Sequence, residues 1–584
     1  MNILHVTDGY KVYHMEQLPS QVKSIYGNLT ARGDKYFQRA FRNPTFGAQA
    51  GLLKNVMDAK ETPFHNINDM YLAFGMHQAL REITQTFNDQ FFMVPVDEAI
   101  KMFKRDIANY IGYNETLDNN IRHLHSYGRL PITVKTVHEG DMVRMNEPCM
   151  IVETTDDRFA WVFGYLEPVI TNMVWKTITN ATTALEFYKI AKFYGKLTGS
   201  DEGAIMFGFH DFSSRGMSGM EDSARNGVPH LLFFNGTESV GALGYINEMY
   251  NYDYEVEGML AGSIKATEHS ISTVNIFNNM LNNQTDLSGS EEQFFLDYIT
   301  KTYPTGMIAY VADTFDFYGF VYDILTKHKD VVNGRDGKVV IRPDSFEDPI
   351  VGVLGDLETP FFYSVDSLVD TYIKNEDLMN HLDGGGQVRV LCDYYAWDTS
   401  EEADDYALKP VREATPEEAG TLPKLLKEFG FTVNQEGCAV LNPKIGLIYG
   451  DGFNLARTKS LFEKLAGFRL ATSNIVIGVG GGSYGFVSRD TLGIAYKATS
   501  FLHENGEHVD IYKDPKGVNK KSAKGRFLAQ YNERTGFWNF HDQVTFEESE
   551  KSDWVTIVKD GRISKLPKFS EIRERAKKLV DDNI

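Results

Sequence analysis

The sequence predicts an α/β fold built on buried parallel strands, and three observations carry that prediction. From about residue 203 onward, short apolar runs end abruptly in Asp, His, Arg or Gly, and a helical stretch follows each of them. The chain is long, at 584 residues, and 42% hydrophobic, enough for two domains or one large barrel with a companion domain. Aromatic residues make up 13% of it, which argues for a packed core over disorder.

Taken in order, residues 69–112 carry apolar positions at helical spacing and read as helices. The period changes to two across 130–154, with the turn HEGD in the middle, which predicts a small antiparallel β unit. An aromatic-rich helix follows over 159–175. Five apolar runs then qualify as buried parallel strands: 204–212, 307–316, 339–345, 445–452 and 474–482. In α/β barrels and in open parallel sheets alike, the loops at the carboxyl ends of the strands converge on a ligand, so repeated polar strand ends imply one shared site. Residues 383–440 open with GGG and pass through an acidic, proline-containing run, and read as a solvated insertion without a catalytic part. Near the end, VKDGRIS predicts an Asp-Gly hairpin, and FSEIRERAKKLV a helix.

The formal charge of −21 excludes global attraction to nucleic acid or to an anionic membrane, so phosphate binding must come from local basic clusters. Cys149, Cys392 and Cys438 are too far apart for a zinc site or a disulfide framework and suit a reducing compartment. The first residues lack a basic n-region, and no 18-residue apolar run occurs, so a soluble, cytoplasmic protein is expected.

Several residues could carry chemistry. Gly478–Ser483 follows an apolar run and precedes Arg489, a setting in which backbone N–H groups can approach an oxyanion closely. It is neither a Walker A loop nor a dinucleotide fingerprint, which counts against kinases and dehydrogenases. Lys513, Lys516, Lys520, Lys521, Lys524 and Arg526 form a basic cluster able to close over polyphosphate. His269 stands beside Glu268, a carboxylate that could orient the imidazole and raise its nucleophilicity. Asp316, Arg342, Asp344 and Asp451 end apolar runs, and together they suit a magnesium-bound sugar pyrophosphate.

In register, DGYKVYH (8–14), LPITVKTVHEGDMV (130–143), FHDFSSRG (209–216), NGTESVGAL (235–243), ATEHS (266–270), ADTFD (312–316), IRPDS (341–345), YGDG (449–452), GVGGG (478–482) and NKKSAKGR before 527 make the chain resemble the nicotinamide phosphoribosyltransferase family. The resemblance implies a type II phosphoribosyltransferase fold, an α/β barrel with a flanking mixed α/β domain. Residues 1–158, completed by 486–584, would form the flanking domain, and 159–485 the barrel with its insertion. It also implies a homodimer that shares its active sites and joins nicotinamide to phosphoribosyl pyrophosphate (PRPP) with Mg²⁺, coupled to ATP through a phosphorylated His269 with Glu268 beside it.

Phe212 and the partner's Tyr10 would then sandwich the pyridine ring, with Asp8, Glu238 and Arg342 near it. Arg215, Arg342, Asp316 and Asp344 would surround pyrophosphate and ribose, Gly450 and Asp451 would meet the ribose, and Gly480 and Gly481 would cradle the 5′-phosphate. Arg32, Arg489 and Lys497 would reach that phosphate from the second subunit, and Lys513, Lys520 and Lys521 would attend ATP. Glu238 stands where nicotinamide-specific members carry Asp, a position at which a carboxylate accepts from the carboxamide and repels nicotinate. Phe346, Ala495 and Ala312 depart from the family pattern, replacing a glycine and two serines. The competing readings are a nicotinate-specific enzyme and a catalytically silent binding protein on the same scaffold.

Overall fold

The computed structural model describes residues 3–12, 14–32, 67, 69–343, 345–397, 408–450, 452–516, 521–564 and 567–583, with the backbone alone at 9, 10 and 14. Its centre is a parallel sheet of seven strands: Phe209–Asp211 (β1), Gly236–Thr237 (β2), Lys265–Ala266 (β3), Thr305–Val311 (β4), Asp336–Arg342 (β5), Ile445–Tyr449 (β6) and Ile475–Val479 (β7). Spatial order follows chain order, with β7 returning to pair with β1. The two edges also meet, because Gly236 in β2 bridges Gly262 just ahead of β3 and the Gly262 N–H donates to the Asn235 carbonyl at 2.8 Å. The sheet is therefore closed, which decides between the barrel and the open sheet in favour of the barrel.

Alternation along the strands divides the side chains. Phe209, Ile308, Tyr310, Val339, Ile341, Leu447, Tyr449, Ile475 and Ile477 join the large core beneath the surrounding helices. Ala309, Val340 and Ile448 form a separate small cluster with Phe212, Ile264 and Val476 that fills the barrel interior.

Two strands, β2 and β3, are two residues long, too short to register as apolar runs. The run 204–212 is not one strand. Asp201 accepts from the Ala204 N–H and starts a helix over Glu202–Phe207, leaving β1 three residues. Within 69–112, Met70–Leu72 is a strand paired antiparallel with Met142–Arg144, and helices follow at Met76–Phe87 and Val96–Tyr110.

The helix expected over 159–175 is α1 (Val162–Leu197), 36 residues long and buried along most of its length. Its first half packs in the core of the flanking unit and its second half in the barrel core, so it is a spine common to both. The flanking unit is a seven-stranded sheet in which Val22–Ala31 lies between Ile494–His503 and Pro148–Thr154, antiparallel to each. Val558 pairs with Ile563 across a tight turn in which Asp560 and Gly561 both take positive φ, as the Asp-Gly hairpin requires.

Inside the stretch read as solvated, Val388–Val390, Asp393–Trp397 and Leu408–Glu413 join Phe361–Phe362 in a four-stranded sheet. The fully buried Arg389 donates to the carbonyls of Leu354 (2.6 Å), Asp356 (3.1 Å), Ala419 (2.6 Å) and Glu418, fastening this sheet to a barrel helix. Thr421–Phe429 is a helix whose Leu422, Leu425, Leu426 and Phe429 belong to the barrel core. Among the described residues, no helix is long and apolar enough to cross a membrane.

Candidate functional site

Because the strands are parallel, every polar strand end faces the same mouth of the barrel. Phe212 follows β1, Glu238 follows β2, Glu268 and His269 follow β3, Asp313 and Asp316 follow β4, Arg342 ends β5, Gly450 follows β6 and Gly480–Gly482 follow β7. Asp344 and Asp451 lie outside the described residues, as does Lys520.

On one side of the mouth, the Phe212 ring lies 4.9 Å from that of His210 at a tilt of 36°. His210 Nε2 is 2.9 Å from Glu238 Oε1, and the Ser263 hydroxyl donates to the same oxygen. Burial would raise the Glu238 pKa, but these hydrogen bonds and the charges of His210 and Arg342 bring it below the ordinary glutamate value, so the carboxylate is ionised. It does not cap the next helix, whose cap position is Ser239. His210 and Ser263 were not picked out from sequence; the signal available was that His210 and Phe212 stand two apart on one strand, hence on one face.

Glycines permit close approaches here. A Cβ on Gly478 would come within 2.8 Å of the Gly450 Cα and 2.9 Å of the Phe212 ring. A Cβ on Gly216 would come within 2.9 Å of the Gly481 Cα. The turn bearing the exposed Arg215 is thus packed directly on the glycine loop, and Gly480 itself faces open space.

Opposite, Glu268 is the N-cap of α2 (His269–Asn283) and accepts from the Ser270 N–H at 3.0 Å and from the Ser270 hydroxyl. These bonds hold its pKa down. A second carboxylate near His269 is Asp313, whose Oδ1 is 3.7 Å from His269 Nε2. Asp313 Oδ2 accepts from the Ser345 hydroxyl at 2.5 Å. Asp316 is exposed and caps a short turn by accepting from the Gly319 N–H at 2.9 Å. Behind this edge is the buried Glu291, pushed up to about 7 by burial and by the charges of Asp316 and Asp313. Asp313 and Glu291 were likewise missed in the sequence, Asp313 because Asp316 ends the same run.

The remaining basic residues belong to the flanking sheet. Arg32, Lys497 and Lys521 line a pocket of ≈ 320 Å³ with Asn28, Thr30 and Ala495. The pKa of Arg32 is lowered by burial and by Arg489, and that of Lys497 by burial and by Arg32 and Lys11, although Glu167 sits 3.6 Å from Lys497. Such mutually repelling, desolvated cations favour an anionic ligand. Arg489 is exposed beside Asp490, and Lys513 is exposed with its backbone pinned to Ser522. Arg526, grouped with the basic loop from sequence, is buried in a bidentate pair with Glu153 at 2.8 and 3.0 Å and has a structural part instead. Asp8 is exposed, its carbonyl accepting from the Lys11 N–H, and Tyr10 lies in the helical turn Gly9–Val12.

The nicotinate phosphoribosyltransferase (NAPRTase) family matches residues 207–551. The nicotinamide phosphoribosyltransferase of Acinetobacter baylyi is 29% identical over 98% of this chain and 97% of its own length. That of Mycoplasma pneumoniae is 27% identical over 89% of this chain and 94% of its own. Among solved structures, human nicotinic acid phosphoribosyltransferase is 12% identical, with a TM-score of 0.46 over 98% of this chain and 93% of that one.

Proposed function

Since the chain belongs to the nicotinate phosphoribosyltransferase (NAPRTase) family and is a phosphoribosyltransferase, we propose that its acceptor is nicotinamide, converted with PRPP to nicotinamide mononucleotide and pyrophosphate. The observation that carries this reading is the ionised Glu238, fixed by His210 and Ser263 beside Phe212. A fixed carboxylate accepts from a carboxamide N–H₂ and repels the carboxylate of nicotinate.

Phe212 stacks on the pyridine ring, which leaves the ring nitrogen free to attack the anomeric carbon. As pyrophosphate departs, positive charge grows on the sugar, and Arg215 and Arg342 stabilise the leaving oxygens. Gly480 and Gly481 offer backbone N–H groups to the 5′-phosphate. The ribose hydroxyls fall to Gly450 and Asp451, with Asp344 and Asp316 near the pyrophosphate. Magnesium suits this site as a companion of the pyrophosphate, because it needs one or two carboxylates, such as the exposed Asp316, and completes its shell with substrate oxygens and water. A second copy of the chain supplies Tyr10, Arg32, Arg489 and Lys497. ATP phosphorylates His269, with Lys513, Lys520 and Lys521 over its phosphates.

The test offers purified protein PRPP and Mg²⁺ with nicotinamide or nicotinate, with and without ATP, and resolves the mononucleotides by mass. Preference for nicotinamide and stimulation by ATP are expected. Preference for nicotinate overturns the acceptor, and no product from either overturns the catalytic reading.

A further inference from the structure

Three loops of the mouth are joined by one aromatic cluster that the reaction itself does not need. The Phe346 ring stacks on Tyr449 with centroids 5.9 Å apart and planes 20° apart, and it meets Phe317 edge-on at 5.2 Å and Tyr318 at 5.7 Å. Phe346 also donates its backbone N–H to the Tyr449 hydroxyl at 2.9 Å. Its ring fills the slot above Gly352, where a Cβ would come within 2.1 Å of it. Each partner adjoins a site residue: Phe317 follows Asp316, Tyr449 precedes Gly450, and Phe346 follows Ser345.

We propose that Phe346 is a positioning residue: its aromatic latch holds Ser345 on Asp313, and through Asp313 it fixes the negative charge that faces His269. The physical path is continuous. Tyr449 fixes Phe346, Ser345 is the next residue back, its hydroxyl donates to Asp313 Oδ2 at 2.5 Å, and the other oxygen of the same carboxylate is 3.7 Å from His269 Nε2. A glycine at 346 has no ring to lock the loop and adds backbone freedom. A carboxylate held from one side by a hydroxyl keeps its second oxygen, and its negative charge, in a fixed place beside the imidazole; at 3.7 Å the contact is electrostatic, and it favours the positive charge that builds on the ring as a ring nitrogen attacks phosphorus.

The inference rests on the ATP-coupled reading above, and the experiment separates the two. Incorporation of radiolabelled γ-phosphate from ATP and the KM for PRPP are measured on full-length wild type, Phe346→Gly, Phe346→Tyr and Ser345→Ala, with circular dichroism checking the fold. Phe346→Gly is expected to slow labelling about tenfold and to raise the PRPP KM several-fold, the scale on which small misplacements act. Phe346→Tyr keeps the ring and restores both, whereas Ser345→Ala slows labelling and leaves KM within about twofold.

Wild-type labelling and KM in Phe346→Gly overturn the proposal. If Phe346→Gly does not fold, Gly352→Ala, which displaces the ring from outside the site, takes its place with the same expectations. If wild type incorporates no label, the ATP-coupled reading has failed, and the latch is then judged on PRPP KM alone: a rise in Phe346→Gly supports it, no change refutes it.

Discussion

His210 Nε2 and Glu238 Oε1 lie 2.9 Å apart, a side-chain contact that adds to the backbone pairing of the first two barrel strands at the mouth. The Glu238 pKa is held below the ordinary glutamate value there, and on the proposed acceptor it would discriminate by charge.

Glu238→Gln keeps the shape of the side chain and removes the charge. Its nicotinamide kcat/KM should fall about tenfold while that for nicotinate rises, narrowing the ratio by roughly 10²-fold, the effect of about 3 kcal/mol of differential binding. Competition between the two pyridines in one reaction, read by mass, checks this.

Gly216→Ala tests the contact between the Arg215 turn and the glycine loop. The new Cβ would lie 2.9 Å from the Gly481 Cα, so the loop must move away from Arg215. The KM for PRPP should rise at least about tenfold while the melting temperature changes little, since the contact is at the mouth and not in the core. Steady-state kinetics with a parallel melt distinguish this from unfolding.

Glu291 gives a prediction about pH. Its folded pKa is raised to about 7 from an ordinary 4.5, so the folded state holds a proton that the unfolded state has released. The resulting stability is fully present below about 4.5 and is lost as pH rises through 7, on the order of 3 kcal/mol in all. Glu291→Gln, neutral throughout, should flatten the fall in urea-unfolding free energy between pH 5 and 8. An unchanged slope would mean that Glu291 is not the group responsible.

Arg526 offers a contrast between structural and catalytic cations. Its guanidinium is paired with Glu153 and lies 4.2 Å over the Tyr26 ring, and Arg526→Met leaves that carboxylate half-buried without its partner. A loss of about 3 kcal/mol is expected, with kinetic constants unchanged in the folded fraction. Urea titration against activity reads both.

What was legible in the sequence, and what was not, divides along physical lines. Long apolar runs with polar ends announced β4 to β7, because a strand buried on both faces needs unbroken hydrophobicity. The two-residue strands β2 and β3 leave no periodic trace, and barrel closure rests on the bridge between Gly236 and Gly262, 26 positions apart. The mouth residues that carry charge were visible by type. Their partners were not: that Glu268 also caps α2 through Ser270, and that Asp313 approaches His269 from the next strand end, depend on the fold and leave no trace in the spacing. Arg526 reads as part of a polyphosphate-binding cluster, and Arg389 falls in a stretch read as solvated, because burial of a paired arginine is decided by residues far away in the chain.

The interleaving of the flanking sheet has a consequence for how the protein is made. Val22–Ala31 emerges early in synthesis, yet one of its two edges waits for Ile494–His503, while every strand of the barrel has already been translated by residue 479. That open edge is a site for wrong pairing during the wait. The cationic pocket of Arg32 and Lys497 needs the second of these strands, so it forms after every barrel strand has been made. A ribosome stalled before residue 490 would therefore hold a chain with its barrel strands complete and its cationic pocket unmade.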